Sequence, residues 1–416
     1  MKYQRVFLES IVAVVPDEVV TTDALERRLE PLYSRLKLPE GRLELMTGIK
    51  ERRLWPQGEL PGTQSIQTVR HLLELTGIDR SKIGCFVHAS VCRDFLEPAT
   101  ACRVHDANGL PSNCAVYDVS NACLGILSGM VQIANMIELG QIEAGIVGGT
   151  ESSRALLETT IAHLNTNPGI NRRNVKTMFA SLTIGSGSAA VLLTNETLST
   201  TKNRLLGGVV RANTTQCRLC QSETDQAGSD SMQPLMQTDS ETLMHEGVAT
   251  AKLAFDDFLP EIGWQRSDIY SNRLEIPEAG NGSPASQGGC ARPKAAVHTD
   301  CGINRAFCHQ VGKMHQQLLF ERLGLDETIN FATLPYLGNT GSVALPTAAA
   351  FGLQTGFAKP NDRIALLGIG SGINVIMLGL DWQKTIVDQT LCRHELTPKF
   401  LPKNGNNRSE YPEMER

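Results

Sequence analysis

The chain has 416 residues, 41% of them hydrophobic and 20% charged, which is enough apolar material for a large core and excludes bulk disorder. A net charge of -5 argues against a nucleic-acid protein, which needs a basic face for phosphates. No apolar run approaches the roughly 18 residues of a membrane span.

Met1-Lys2-Tyr3-Gln4-Arg5 leads into an apolar run that ends at Val15-Pro16. Glu9 and Ser10 interrupt that run, so it reads as a first strand rather than a signal peptide, and a cytoplasmic setting is expected. The 11 cysteines are an odd number in a long chain and do not resemble a disulfide framework, so most should be reduced core residues. Cys217-Arg218-Leu219-Cys220 is a lone CxxC with no second pair, and no metal is expected there.

Short apolar strands then alternate with helical stretches, the signature of an α/β fold. Strands are predicted at Gly84–Val91, Ile142–Gly149, Ile184–Leu193 and Arg363–Gly368. Helical periodicity falls near 64–77, 124–139, 240–258 and 310–323. Asn121-Ala122-Cys123-Leu124-Gly125 opens a small-residue helix that ends near Gly140, and the strand after it closes on Gly148-Gly149-Thr150-Glu151-Ser152. Gly338-Asn339-Thr340-Gly341-Ser342 opens a second such helix, and its strand closes on Gly368-Ile369-Gly370-Ser371-Gly372. The echo predicts two related α/β halves, 1–195 and 196–384. An aperiodic stretch rich in Gly, Pro, Ser and Ala at 271–300 reads as a surface insertion. Residues 385–416 read as a polar, disordered tail.

Cys123 stands where a loop becomes a helix. The dipole and unpaired N–H groups there are expected to lower the thiol pKa and to hold an oxyanion. The ordinary reading of such a cysteine is a small buried hydrophobe. His309, between a strand and a helix, is a candidate general base or hydrogen-bond donor, and alone it also fits a structural histidine. Asn339 is a neutral donor at the matching point of the second repeat, or a plain cap residue. Glu97 precedes a proline and reads by default as a solvated carboxylate. The duplication predicts that Cys123, His309 and Asn339 converge on one cavity.

These ordered motifs resemble the thiolase-superfamily condensing enzymes, closest to the 3-oxoacyl-acyl-carrier-protein synthase III group. Within it, Arg52-Arg53-Leu54-Trp55, Ser90–Pro98 and Ala365–Asn374 resemble the OleA group, which joins two fatty acyl-CoA molecules head to head without decarboxylation. The likeness covers about residues 3–382 apart from the insertion. It implies a layered αβαβα fold and an acyl-CoA substrate with no separate cofactor. It also implies a homodimer in which Glu97 reaches the neighbouring subunit's site to remove the α-proton. Carried over, Cys123 takes the first acyl group, and His309 and Asn339 stabilise the enolate of the second. The N–H of Cys123 and the Gly370-Ser371 turn form the oxyanion hole. Arg52 and Arg53 are candidates for the CoA phosphates, with a surface ion pair as the alternative. Where the initiating synthases commonly read His-Gln-Ala-Asn, this chain has His309-Gln310-Val311-Gly312, which favours the OleA side. The alternative is the initiating synthase, which uses acyl-CoA, malonyl-acyl carrier protein and decarboxylation. A cysteine thioesterase and a non-catalytic scaffold share parts of the same pattern.

Overall fold

The computed structural model describes residues 1–222, 235–265 and 302–400. The insertion expected at 271–300 lies outside the described residues. In chain order the strands are β1 (Phe7–Val14), β2 (Glu18–Thr21), β3 (Glu51–Leu54), β4 (Ile83–Ala89), β5 (Ala115–Val119), β6 (Ala144–Glu151) and β7 (Gly187–Thr194), then β8 (Arg204–Ala212), β9 (Cys220–Ser222), β10 (Met236–Thr238), β11 (Arg305–Cys308), β12 (Arg363–Gly370) and β13 (Asn374–Asp381).

Nine of these form one sheet in the order β11-β12-β13-β8-β1-β7-β6-β4-β5. The order carries the duplication. In the first half β4 and β6 are parallel, β7 runs antiparallel to β6, and β1 is antiparallel to β7. In the second half β11, β12, β13 and β8 repeat those relations. Even β5, parallel to β4, has an echo in the parallel bridge between Ala306 and Asn330. The two groups of strands meet where Phe7 pairs with Arg204.

Helices Gly125–Glu138 and Ala344–Gln354 lie between the two halves. The first packs on β4 and β6, and its Leu127 meets Gly368 of β12; the second packs on β1 and β7, while its Gly352 meets Phe307 of β11. Helix Pro61–Thr76 covers the outer face of the first half, and helix Ser240–Glu261 covers that of the second. The result is the αβαβα arrangement the sequence suggested. β6 and β7 are buried along their whole length, as strands covered on both faces must be. The apolar, small-residue character of the two central helices follows from the same geometry, because each faces a sheet on two sides.

The expected tail at 385–416 is corrected over its first part. Residues 385–400 pack on the body, with Leu391 and Leu396 buried. Asp388 caps helix Gln389–Cys392 and also bonds the His71 ring at 2.8 Å. The apolar residues of this stretch, spaced among polar ones, fill a groove that its composition alone did not reveal.

Candidate active site

The loop after β5 carries Cys123. Ala122 is held at φ +43, a left-handed conformation that costs a non-glycine residue on the order of 1–3 kcal/mol. The turn is braced from several sides. Leu124 N–H donates to the Asn121 carbonyl at 2.8 Å, Asn121 Nδ2 donates to Ser128 Oγ at 2.9 Å, and Asn374 Nδ2 donates to Asn121 Oδ1 at 3.2 Å. The helix itself begins at Gly125, two residues past the cysteine. A Cβ on Gly125 would lie 3.3 Å from the Ala89 carbonyl carbon and 3.4 Å from Ser342 Cβ, so glycine lets the nucleophile loop approach both the end of β4 and the Asn339 turn.

The backbone N–H groups of Ser371 and of Cys123 itself act on the Cys123 thiol to lower its pKa. Gly370 lets its turn lie against the Cys123 loop: a Cβ there would sit 3.0 Å from Leu124 Cγ and 3.7 Å from Cys123 N. The expected depression of the thiol pKa is corrected. Burial pushes the Cys123 thiol up to about 12, helped by the nearby Glu151 and Cys220, and the two N–H donors oppose this without cancelling it. The resting nucleophile is therefore a neutral thiol. Being set before the helix rather than in its first turn, it gains little from the helix dipole.

Asn339 is fixed by its backbone, which donates to the Thr183 carbonyl at 2.9 Å and accepts from Gly185 N–H at 2.9 Å. Its Oδ1 accepts from Gly341 N–H at 2.9 Å, which leaves Nδ2 as the donor toward a substrate. His309 follows β11, with its N–H on the Leu367 carbonyl at 3.2 Å. Burial, together with the neighbouring His315, lowers its pKa to about 3, so the imidazole is neutral. Its Nδ1 is walled in without a partner. Gln310 anchors this loop to the segment that leads into Asn339, accepting from Thr333 N–H at 3.0 Å and Leu334 N–H at 3.2 Å.

Glu97 is exposed, and the groups that act electrostatically on Cys123 within the chain are Glu151 and Cys220, not Glu97. Its loop is pinned at Asp94, which accepts from Gly62 N–H at 2.6 Å and pairs with Arg103 at 2.7 Å. Beyond that pin Phe95 and Leu96 are exposed along with Glu97. Arg52 and Arg53 are corrected. Both are fully buried on β3, so they present no phosphate site, and of the two only Arg53 makes an ion pair among the described residues, with an exposed glutamate. Arg53 bonds the Pro16 carbonyl at 3.1 Å and pairs with Glu395, while Arg52 donates to Thr22 Oγ1 at 3.0 Å. The Arg52 stem lies against Gly185 and Gly338, where a Cβ would come within 3.5 Å of the Arg52 Cβ.

Residues 65–206 match the thiolase N-terminal domain, and residues 295–382 match the C-terminal domain of 3-oxoacyl-acyl-carrier-protein synthase III. The acyl-CoA:acyl-CoA alkyltransferase of Shewanella oneidensis is 37% identical over 385 residues, covering 92% of this chain and all of that one. The chain belongs to the acyl-CoA:acyl-CoA alkyltransferase family. The member from Xanthomonas campestris is 28% identical over 382 residues, again covering 92% of this chain and all of its own length. A crystal structure of Xanthomonas campestris OleA with bound lauric acid and lauroyl-CoA superposes with a TM-score of 0.78 at 28% identity, covering 91% of this chain and all of that one.

For an acyltransferase of this family, the structure adds residues that the sequence reading left out. Glu151, at the end of β6, is buried beside Cys123; its signal was a carboxylate at the carboxyl end of a fully apolar strand, where α/β folds place their sites. His315 is a second buried neutral imidazole next to His309, with a pKa near 4 from burial. Cys220 of the lone CxxC lies on β9 close enough to raise the Cys123 thiol.

Proposed function

We propose that the chain joins two fatty acyl-CoA molecules through an acyl-Cys123 thioester without decarboxylation. The observation that carries the reading is the packing of the Gly370-Ser371 turn against the Cys123 loop, which makes the N–H groups of Cys123 and Ser371 the candidate oxyanion donors, in a chain 37% identical to an acyl-CoA:acyl-CoA alkyltransferase. Cys123 attacks the first thioester carbonyl. The oxyanion forms against those two N–H groups, and CoA leaves carrying the thiol proton. A neutral thiol suits an enzyme that must hold a greasy acyl chain in a dry cavity, because the charge appears only where donors wait for it.

The second acyl-CoA then places its carbonyl against His309 and the Nδ2 of Asn339. Glu97 of the partner subunit takes the α-proton, and the enolate carbon attacks the acyl-Cys123 carbonyl. That step expels the Cys123 sulfur and gives a 2-alkyl-3-oxoacyl product. A carboxylate is a weak base for such a proton, so the two neutral donors supply most of the stabilisation. A neutral His309 fits this role, since it donates a hydrogen bond without needing to be charged.

The homodimer belongs to the same proposal. β5 ends the sheet with an open edge, and the Glu97 loop presents Phe95 and Leu96 outward, as a surface covered by a second copy would. A cytoplasmic setting, where acyl-CoA is at hand, goes with it. The test is product analysis with myristoyl-CoA alone. Release of CoA with a β-keto acid or its ketone, abolished in Cys123→Ser, supports the reading. Product that forms only when malonyl-acyl carrier protein is added assigns the chain to the initiating synthases.

A further inference from the structure

Glu151 sits where the two halves of the fold meet, and its side chain is buried. Oε1 accepts from Ser342 Oγ at 2.6 Å, from Ser342 N–H at 3.3 Å and from Val91 N–H at 3.0 Å; Oε2 accepts from Cys92 N–H at 3.4 Å. Gly341 closes over the carboxyl group so tightly that a Cβ there would lie 3.1 Å from it. No ion pair reaches Glu151 among the described residues. Burial raises the pKa of the Glu151 carboxyl group, and the hydrogen bonds from Ser342, Val91 and Cys92 oppose that rise. Here the donors come from two loops. Val91 and Cys92 begin the loop that carries Glu97, and Ser342 closes the turn that carries Asn339. The shared Ser342 hydroxyl also reaches the Ala89 carbonyl at 3.2 Å, beside the first residue of the Cys123 helix.

We propose that Glu151 is the positioning residue that holds the Glu97 loop and the Asn339 turn in register with Cys123. The proposal rests on the function argued above and deepens it. One carboxyl group sets the distance between the acyl-enzyme, the enolate donor and the loop that bears the base. The first acylation needs only Cys123 and its two N–H donors; the condensation needs all three parts aligned. Glu151 therefore weighs on the second step.

The test uses the full chain with Glu151→Gln, Ser342→Ala and the double variant. Three readouts are taken: acylation of Cys123 by myristoyl-CoA in the mass spectrum, alkylation of the Cys123 peptide by iodoacetamide at pH 8, and hydrogen exchange of 90–97 and 339–343. Condensation turnover is followed alongside. Both single variants still acylate, while turnover falls about 100-fold, the scale of a small misplacement of reacting groups. In Glu151→Gln both loops exchange faster, while Cys123 is alkylated no more slowly than in the wild type. The double variant loses less than the two single losses combined, since both changes remove one shared contact. Slower alkylation in step with turnover, or unchanged exchange in either loop, overturns the proposal. Exchange and alkylation judge Glu151 even if the wild type forms no carbon–carbon bond, an outcome that would sink only the functional reading.

Discussion

Thr333 N–H donates to Gln310 Oε1 at 3.0 Å, and through that contact the residue after His309 holds the segment that becomes the Asn339 turn. Gln310 Nε2 completes the clamp on the Cys308 carbonyl at 2.8 Å. Its buried carboxamide is therefore used at both ends.

Gln310→Ala leaves the buried Thr333 and Leu334 N–H groups without acceptors. A loss of about 1–3 kcal/mol in urea unfolding is expected for an orphaned buried donor. Condensation should fall much more than acylation, because His309 and Asn339 both depend on the clamp. Equal loss of both half-reactions would contradict this.

The histidine pair contributes a loss of stability in acid. His309 has its pKa lowered from 6.5 to about 3, and His315 from 6.5 to about 4, both chiefly by burial. Below 6.5 the unfolded chain binds protons that the folded site refuses, so stability falls as the pH drops from 6.5 toward 3. His309→Asn should flatten the melting temperature against pH between 6.5 and 4. An unchanged slope would mean that the ring is not buried as described.

Cys123 should alkylate slowly for a nucleophile. With the thiol near 12, its alkylation rate at pH 8 should fall below that of a free cysteine, and log rate should climb with pH without levelling off below pH 9.5. A plateau near neutral pH would show an ionised sulfur at rest.

The buried arginines separate packing from substrate binding. Arg53→Ala orphans the Pro16 carbonyl and opens space around β3, so about 1–3 kcal/mol of stability should be lost. The KM for acyl-CoA should stay as it is. Glu395, 68% exposed on its side chain, should matter far less when changed to alanine. A raised KM in Arg53→Ala with stability intact would restore the phosphate reading.

Much of this was legible in the chain itself, because each half had to repeat the same order of loop, helix, strand and glycine turn. Cys123 and Asn339 could be found at matching points of that order, and the strand positions followed from their unbroken apolar runs. What escaped depended on depth. Nothing in Arg52-Arg53 shows that β3 is covered on both sides, and nothing in Asn121-Ala122-Cys123 shows that the helix waits until Gly125. The thiol pKa escapes for the same reason, because burial, which the local sequence does not show, raises it. Glu151 was visible as a carboxylate closing a buried strand, but its partners Val91 and Ser342 lie 60 and 191 residues away, and only folding brings them to it.

The central claim is that both carbonyl carbons of two acyl-CoA molecules survive in one product. Incubation of the chain with myristoyl-CoA carrying carbon-13 at the carbonyl tests it directly by carbon NMR. The account predicts a 3-oxoacyl product labelled at carbons 1 and 3, or a ketone labelled at its carbonyl after later loss of labelled carbon dioxide. Labelled myristic acid as the sole product would contradict it.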